Sequence, residues 1–447
     1  METTMQDKSL GRTFIDYVSQ SVLGTLGYSC YILVDTYFIS LSAGAAGITV
    51  LNLSIPLYDF LFAIGSMIGV GSSIRFALSK GMQKEKEDIF FSNAFFFLLF
   101  VGIFCAIFGL SKPDLLLRLM GGRGEIMRIG IPYVRTFWIF SPFFLLNFLI
   151  TAFVRNDGDP TLAMVATLTS SLFNCVFDYI FIFPMKFGLF GAALATGISP
   201  IVSISVCMIH FFRKKNHIRL HWRVPSPRLL LMSAQVGIPA FIAQFSGGVI
   251  TTVCNLLLLK LSGNTCVAAY GIVTNLAIVA SAIFDGIQNG MQPITSDLKG
   301  KGREKDAVSV FHMGLLLAFV VAVLIYIMTF FGADFFIGIF NNETNPTIAA
   351  ELARIARPSL RLYFTGYFFA SLNIIVAGYL ASIGDGKAGG ILSIARGCVL
   401  VVVFAFLLAA IFKVAGVFAS FPAAELATLV MILIYAAIKK RQKAELN

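Results

Sequence analysis

Long apolar runs follow one another along the chain, and short polar segments separate them. A helix that crosses the hydrocarbon core of a bilayer needs about 20 mainly apolar residues, and twelve runs meet that requirement. The pattern predicts an all-α polytopic membrane protein with twelve transmembrane helices. The predicted spans are residues 13–40, 49–79, 89–110, 127–152, 160–184, 188–212, 229–259, 266–296, 307–333, 350–380, 388–410 and 413–438.

The composition supports this prediction. Of the 447 residues, 57% are hydrophobic and 13% are charged, whereas a soluble domain carries roughly 25% charged residues. The chain therefore lacks enough charge to cover a water-facing surface of its size, and a lipid bilayer is its expected partner. The net charge of +11 does not indicate nucleic-acid binding, because the basic residues lie in short clusters between apolar runs.

Motifs for catalysis are missing from the sequence. The seven cysteines are scattered without a metal-binding spacing. There is also no nucleotide-binding loop and no nucleophile elbow. We therefore expect neither an enzyme nor a bound cofactor, and transport by this chain alone would not be driven by ATP.

The distribution of Lys and Arg predicts the orientation, because these residues accumulate in cytoplasmic loops. With the amino terminus inside, 23 of the 34 Lys and Arg residues fall on the inner side and the other 11 on the outer side. Arg396 is counted among the inner cations. Both termini are predicted to be cytoplasmic, in a bacterial-type plasma membrane.

Similar sequence segments recur in the second half of the chain and divide it into two related halves. Residues 79–85 resemble residues 300–306, and residues 50–53 resemble 273–276. The loop after the fourth span resembles the loop after the tenth, and the intervals in the three pairs are similar. Each half has an even number of spans, so the halves run parallel and are related by a pseudo-two-fold axis along the membrane normal, with a cavity between them. The predicted domains are an amino-terminal six-helix lobe, a basic cytoplasmic linker, and a carboxyl-terminal lobe with a short tail, at residues 1–212, 213–228 and 229–447.

Six stretches resemble the multidrug and toxic compound extrusion (MATE) transporters, in family order and over essentially the whole chain. They are VDTYFI at 34–39, RNDGDP at 155–160, NCVFDYIFIF at 174–183, GLFGAALAT at 188–196, GIP at 237–239 and GMQP at 290–293.

The resemblance implies export of amphipathic, usually cationic compounds in exchange for H⁺ or Na⁺. In the branch of the family with an acidic amino-terminal lobe, the coupling residues match Asp35, Asn174, Asp178 and Thr196. Other members place acids in the seventh and tenth helices, where this chain has Gln244 and no acid between residues 359 and 380.

A proline that kinks the first helix in some relatives is absent here, since residues 13–41 contain no Pro. If this helix bends, Gly24 and Gly27 are the candidate positions.

The residues themselves support a coupling site. A carboxylate deep in a bilayer is costly, so Asp35 and Asp178 are functional candidates. Asn174 lies one turn before Asp178 on the same helix face, and Thr196 adds a hydroxyl. If both acids share one desolvated pocket, repulsion favours uptake of a proton, and the same oxygens suit Na⁺. The alternative is a structural role, in which Asn and Thr merely satisfy the acids.

The substrate candidates are polar, aromatic or soft side chains in the spans, since apolar walls, aromatic faces and an acid suit amphipathic cations. Asp285 either binds the substrate cation or is satisfied by Gln288 and Asn289. Asp16 and Glu425 are expected near the interfaces, where water satisfies them. The candidates are Asp285, Asp59, Tyr37, Gln244, Asn275, Met291 and Tyr367.

Three other functions stay open at this point. One is a flippase for a lipid-linked saccharide, although such proteins have fourteen spans and an Arg-rich cavity. A second is an exporter of a specific endogenous metabolite. A third is a passive channel, against which the paired carboxylates argue weakly. The protein is expected to act as a monomer, with small amphipathic cations and lipid as its partners.

Overall fold

The computed structural model describes residues 10–81, 89–213, 216–262, 264–340 and 346–445. All regular secondary structure within these ranges is helical. This fits a chain in lipid, because a helix satisfies its own backbone hydrogen bonds where no water can do so.

Six spans, α1 to α6, form the amino-terminal half. The fourth is a pair of helices bent by 44°. Pro142 stands in the first turn after the bend, where its missing N–H removes no helical hydrogen bond. The bounds are Leu10–Ala43 for α1, Thr49–Lys80 for α2, Ile89–Ser111 for α3, Glu125–Ile139 with Ser141–Asn156 for α4, Pro160–Ile182 for α5 and Gly188–Phe211 for α6.

The carboxyl-terminal half repeats this plan in α7 to α12. Its fourth span is again a bent pair, with an angle of 41°. Short helices at Pro113–Leu119 and Ala333–Phe340 follow the third span of each half. The bounds are Pro227–Ser262 for α7, Asn264–Gly300 for α8, Glu304–Phe331 for α9, Pro346–Phe364 with Tyr367–Ser382 for α10, 386–412 for α11 and 414–438 for α12.

The prediction of twelve spans is confirmed. In the described chain, nine helices are long and apolar enough to cross a membrane, and the two bent pairs raise the number to eleven. One of these, Gly386–Ile438, has 53 residues, which is far too long for a single crossing of about 30 Å at 1.5 Å per residue. Lys413 interrupts it with φ 52° and ψ −126°, so it holds two crossings.

The internal repeat appears as two matching helix starts. Asp159 caps α5 by accepting a hydrogen bond from the Leu162 amide, and Asp385 caps α11 in the same way through Ala388. The glycines before them, Gly158 and Gly384, have φ of 96° and 89°, a region in which other residues are strained. Pro160 follows Asp159 at the first helical position of α5, where its missing N–H removes no helical hydrogen bond.

Each half has its own buried core. Phe137 and Phe153 lie in the core of the amino-terminal half, whereas Phe284 and Phe418 lie in that of the other half. The fold is therefore two six-helix bundles related by a pseudo-two-fold axis along the membrane normal. We refer to them as the amino and carboxyl lobes. The exact domain limits at 212 and 229 stay a prediction.

The lobes meet at the end of the molecule that carries the basic loops. Helices of the two lobes cross there so closely that only glycine fits at the contact. A Cβ on Gly237 of α7 would lie 2.0 Å from the Met67 carbonyl oxygen of α2. Similarly, a Cβ on Gly290 of α8 would lie 2.6 Å from the Val18 Cα of α1. No Cβ atom can lie so close to another atom, so a glycine is required at both positions. The pairs α2–α7 and α1–α8 therefore pack in close backbone contact and close this end of the space between the lobes.

Candidate ion and substrate sites

The four residues predicted to couple ions come together inside the amino lobe. The Asp35 carboxyl is close enough to the Asp178 carboxyl to share a hydrogen bond. With the Asn174 amide oriented to satisfy its neighbours, its nitrogen donates to Asp178 Oδ2 at 3.0 Å. Its oxygen accepts from the Thr196 hydroxyl at 3.2 Å. The cluster joins α1, α5 and α6.

This cluster is suited to a small cation. Asp178 and Asn174 are fully buried and Asp35 is 9% exposed. One oxygen of each carboxyl, Oδ1 in both, has no hydrogen-bond partner among the described residues. Two ionised carboxylates cannot donate to each other, so their contact calls for a proton between them or a cation beside them. Carboxylate, amide and hydroxyl oxygens are also ligands for hard cations.

The central cavity lies between the lobes and has a volume of about 550 Å³. Its wall includes the predicted substrate residues Asp285, Gln244 and Tyr367. The Tyr367 hydroxyl is held by Ser281 at 3.0 Å and by the Ala277 carbonyl oxygen at 2.9 Å. Asp285 forms no hydrogen bond or ion pair with any described residue, so its carboxylate is available to a ligand.

Serines connect the cavity with the ion cluster. Ser170, Ser171 and Ser199 line the cavity, and the Ser170 hydroxyl donates to the Ser199 carbonyl oxygen at 2.7 Å. Ser171 lies one turn before Asn174, and the Ser199 hydroxyl donates to the Thr196 carbonyl oxygen at 2.9 Å. Polar groups thus lead from the cavity to the buried carboxyls.

The other predicted substrate residues do not line the central cavity. Tyr37 is 57% exposed on the outside of the bundle, and Met291 is buried in the carboxyl-lobe core. Asp59 faces a separate small apolar groove between α2 and α7. Asn275 is half-buried and is also absent from the cavity wall.

Sequence reasoning missed Tyr31, which lines the cavity and lies within electrostatic range of Asp35 and Asp178. The spacing in the sequence indicates this position, because Tyr31 precedes Asp35 by one helical turn and shares its face. Tyr37, by contrast, is two positions from Asp35 and therefore points to a different side of α1.

Glu425 was predicted to lie near an interface, and this prediction is wrong. Glu425 is 1% exposed and forms an ion pair with Arg396, whose Nη2 and Nε lie 2.8 and 3.1 Å from its Oε1. Arg396, counted above as an inner cation, lines the cavity. It stands in a single π-helical turn of α11, Ala395–Val399, a distortion often found at functional sites.

A second charged cluster lies at the basic end of the amino lobe, around the loop after α4. Asp157 is fully buried and accepts from Lys80 at 2.6 Å, from His210 at 2.9 Å and from the His217 amide at 2.8 Å. Burial alone would raise the pKa of Asp157, but the hydrogen bond from His210 and the nearby Lys80 outweigh it, and the pKa lies below its usual value. This cluster ties the segment after α6 to the lobe.

Comparison with known proteins identifies related transporters. A model of the MatE family matches residues 21–180 and 239–407, one stretch in each half. The multidrug export protein MepA of Staphylococcus saprophyticus is 27% identical over 421 residues, which cover 93% of this chain and 91% of MepA. MepA of Staphylococcus aureus is 26% identical over the same shares of the two chains.

Solved structures share the fold. An outward-facing multidrug resistance MATE family transporter of the MOP superfamily superposes with a TM-score of 0.88 at 21% identity, over 97% of this chain and 96% of the other. A MOP superfamily transporter from Pyrococcus furiosus gives a TM-score of 0.87 at 21% identity, over the same shares. The twelve-span, two-lobe architecture is common to them.

Proposed function

Because the chain belongs to the MatE family of membrane transporters, we propose that it is an antiporter that exports amphipathic cations in exchange for protons. The observation that carries the proposal is the contact between the buried carboxyls of Asp35 and Asp178. Two such groups in one dry pocket take up a proton readily and give it up when a second positive charge arrives. Multidrug export, the activity named for the MepA relatives, is the same class of transport.

The proposed cycle depends on competition between proton and substrate. With Asp35 and Asp178 ionised, the amino lobe attracts a cation through the polar path of Ser170, Ser171 and Ser199. Proton entry neutralises the pair and removes that attraction. A proton drives a conformational change only if it binds the two states of the transporter with different affinity, so the pair must hold its proton more tightly in one state than in the other.

The cavity accounts for the substrate class. Asp285 supplies a carboxylate that forms no hydrogen bond or ion pair with the described residues, and Tyr28, Tyr363 and Tyr367 supply aromatic faces. Aromatic faces and a carboxylate attract a bulky organic cation. The flippase alternative is disfavoured because such a cavity is rich in Arg, whereas two acids, Asp285 and Glu425, accompany two arginines in this wall.

Purified protein in liposomes tests the proposal. A fluorescent amphipathic cation should move across the membrane when a pH gradient is imposed and should stop when the gradient is collapsed. The same movement driven by a Na⁺ gradient at constant pH would overturn the choice of the proton. Movement down the cation's own gradient, indifferent to both ions, would establish a passive channel and overturn antiport.

A further inference from the structure

Four charged side chains line the described part of the central cavity. Arg155 comes from the amino lobe, and Asp285, Arg396 and Glu425 come from the carboxyl lobe. The three carboxyl-lobe residues lie on α8, α11 and α12, so this charged trio is assembled by packing rather than by sequence proximity.

Within the trio, Arg396 forms an ion pair with Glu425. The pair is bidentate, because Arg396 Nη2 donates to Glu425 Oε1 at 2.8 Å and Nε donates to Oε2 at 3.3 Å. Glu425 Oε2 also accepts from the Asn373 amide at 2.7 Å, and Asn373 donates to the Glu425 backbone carbonyl at 2.8 Å. Asn373 is fully buried, so it holds the Glu425 carboxylate in the position in which it pairs with Arg396.

Asp285 lies within electrostatic range of the same guanidinium but forms no ion pair with it. A guanidinium is always charged and pairs most strongly with a carboxylate in a bidentate geometry. Because Glu425 occupies that geometry, the positive charge of Arg396 is balanced without Asp285. The trio then carries one net negative charge, which belongs to the carboxylate that faces the ligand.

We propose that Glu425 is a specificity-determining residue, which makes the cavity select cations by sequestering Arg396 and so leaving Asp285 unneutralised. The inference rests on the proposed function, in that Asp285 is taken to bind the substrate cation. Glu425 itself is 1% exposed and does not need to touch the substrate. Without it, the guanidinium would turn to Asp285, and the wall would lose its attraction for cations.

The three following variants differ in the net charge of the trio. Glu425→Gln leaves Arg396 and Asp285, with no net charge in the trio. Arg396→Gln leaves two carboxylates and two negative charges. Arg396→Gln combined with Glu425→Gln leaves Asp285 alone and restores the wild-type net charge of minus one. Arg155 is unchanged in all three.

The test uses two probes of the same shape and opposite charge, tetraphenylphosphonium and tetraphenylborate. Their affinities for each purified, monodisperse variant are measured by isothermal titration calorimetry in a neutral detergent. We expect the ratio of cation to anion affinity to fall by about tenfold in Glu425→Gln, since moving one nearby charge has effects of this size. The ratio should rise in Arg396→Gln and return towards the wild-type value in the double variant.

Misfolding cannot imitate this pattern, because it would not raise the ratio in one variant and restore it in another. An unchanged ratio in Glu425→Gln, or a double variant as impaired as Glu425→Gln, overturns the inference. The variant Asp285→Asn distinguishes a failure of the inference about Glu425 from a failure of the proposed function. If this variant loses cation binding while Glu425→Gln does not, only the inference fails. If the folded wild-type protein does not bind the cation, the proposed function fails.

Discussion

Asn156 and Gln292 exchange two hydrogen bonds across the boundary between the lobes. The Gln292 amide donates to Asn156 Oδ1 at 2.8 Å, and the Asn156 amide donates to Gln292 Oε1 at 3.2 Å. Both side chains are buried. Asn156 ends α4 and Gln292 lies in α8, so this pair holds the basic ends of the two lobes together. Any state that opens at this end must break it.

Asn156→Ala should therefore weaken the closed state. The change removes the hydrogen bond that Gln292 Oε1 accepts, and a buried polar atom without a partner costs about 1–3 kcal/mol, which corresponds to roughly a tenfold shift in population. The measurement is the distance between spin labels on the basic ends of α2 and α8, in a cysteine-free background. A larger share of long distances is expected, whereas Asn52→Ala, at an exposed position, should leave the distribution unchanged. An unaltered distribution in Asn156→Ala would mean that the pair does not hold the lobes.

Two glycines of α8 form a matched pair for testing the helix crossing. A Cβ on Gly290 would collide with Val18 and with the Tyr17 carbonyl oxygen, whereas one on Gly271 would meet nothing within 4 Å. Alanine normally stabilises a helix by about 0.5–1 kcal/mol relative to glycine. Gly271→Ala should thus raise the thermal unfolding temperature slightly, and Gly290→Ala should lower it or favour separation of the basic ends. Equal effects of the two substitutions would contradict the assigned crossing.

Asp157→Asn should destabilise the protein by about 3–5 kcal/mol, because it leaves the Lys80 and His210 partners of a buried carboxylate uncompensated. Thermal unfolding in detergent measures the loss. Asp306→Asn serves as the control, since Asp306 pairs with Arg303 on the surface and such pairs contribute at most about 1 kcal/mol.

The pH dependence of the Asp157 effect follows from the sign of its pKa shift. The folded-state pKa of Asp157 lies below the ordinary value of an Asp, so the stabilisation is complete above about pH 5 and is lost progressively as the pH falls from the unfolded value through the lower folded value. The deficit of Asp157→Asn should be no smaller at pH 5 than at pH 7, because the carboxylate stays ionised while its partner His210 gains positive charge as the pH falls. A deficit that shrinks by pH 5 would show that the carboxylate titrates earlier than its contacts imply.

Local and periodic features of the fold could be predicted from the sequence. Span number follows from the length of apolar runs, and the repeated Gly-Asp before α5 and α11 predicts two similar helix starts. The shared face of Asn174 and Asp178 could be expected from their one-turn spacing on α5. These inferences need only a single helix or a single turn.

The charged trio of the carboxyl lobe could not be predicted in this way. Arg396 and Glu425 are 29 positions apart on different helices, and a hydropathy profile does not show which side of a span faces a cavity. The π-helical turn at Ala395–Val399 also departs from the regular 3.6-residue spacing on which helical-face predictions depend. Tyr37 lies two positions from Asp35 and therefore faces another side of α1, where it is exposed.

The central claim is that a substrate cation and a proton compete through Asp35 and Asp178. Proton release on binding measures this directly, with purified protein in a weakly buffered detergent solution to which an amphipathic cation is added. We predict release of up to about one proton per cation bound by the wild type at a pH where the pair is protonated. We predict none by Asp35→Asn or Asp178→Asn variants that still fold and bind the cation. Cation binding by the wild type without proton release at any pH between 5 and 9, or undiminished release by either variant, would contradict the account.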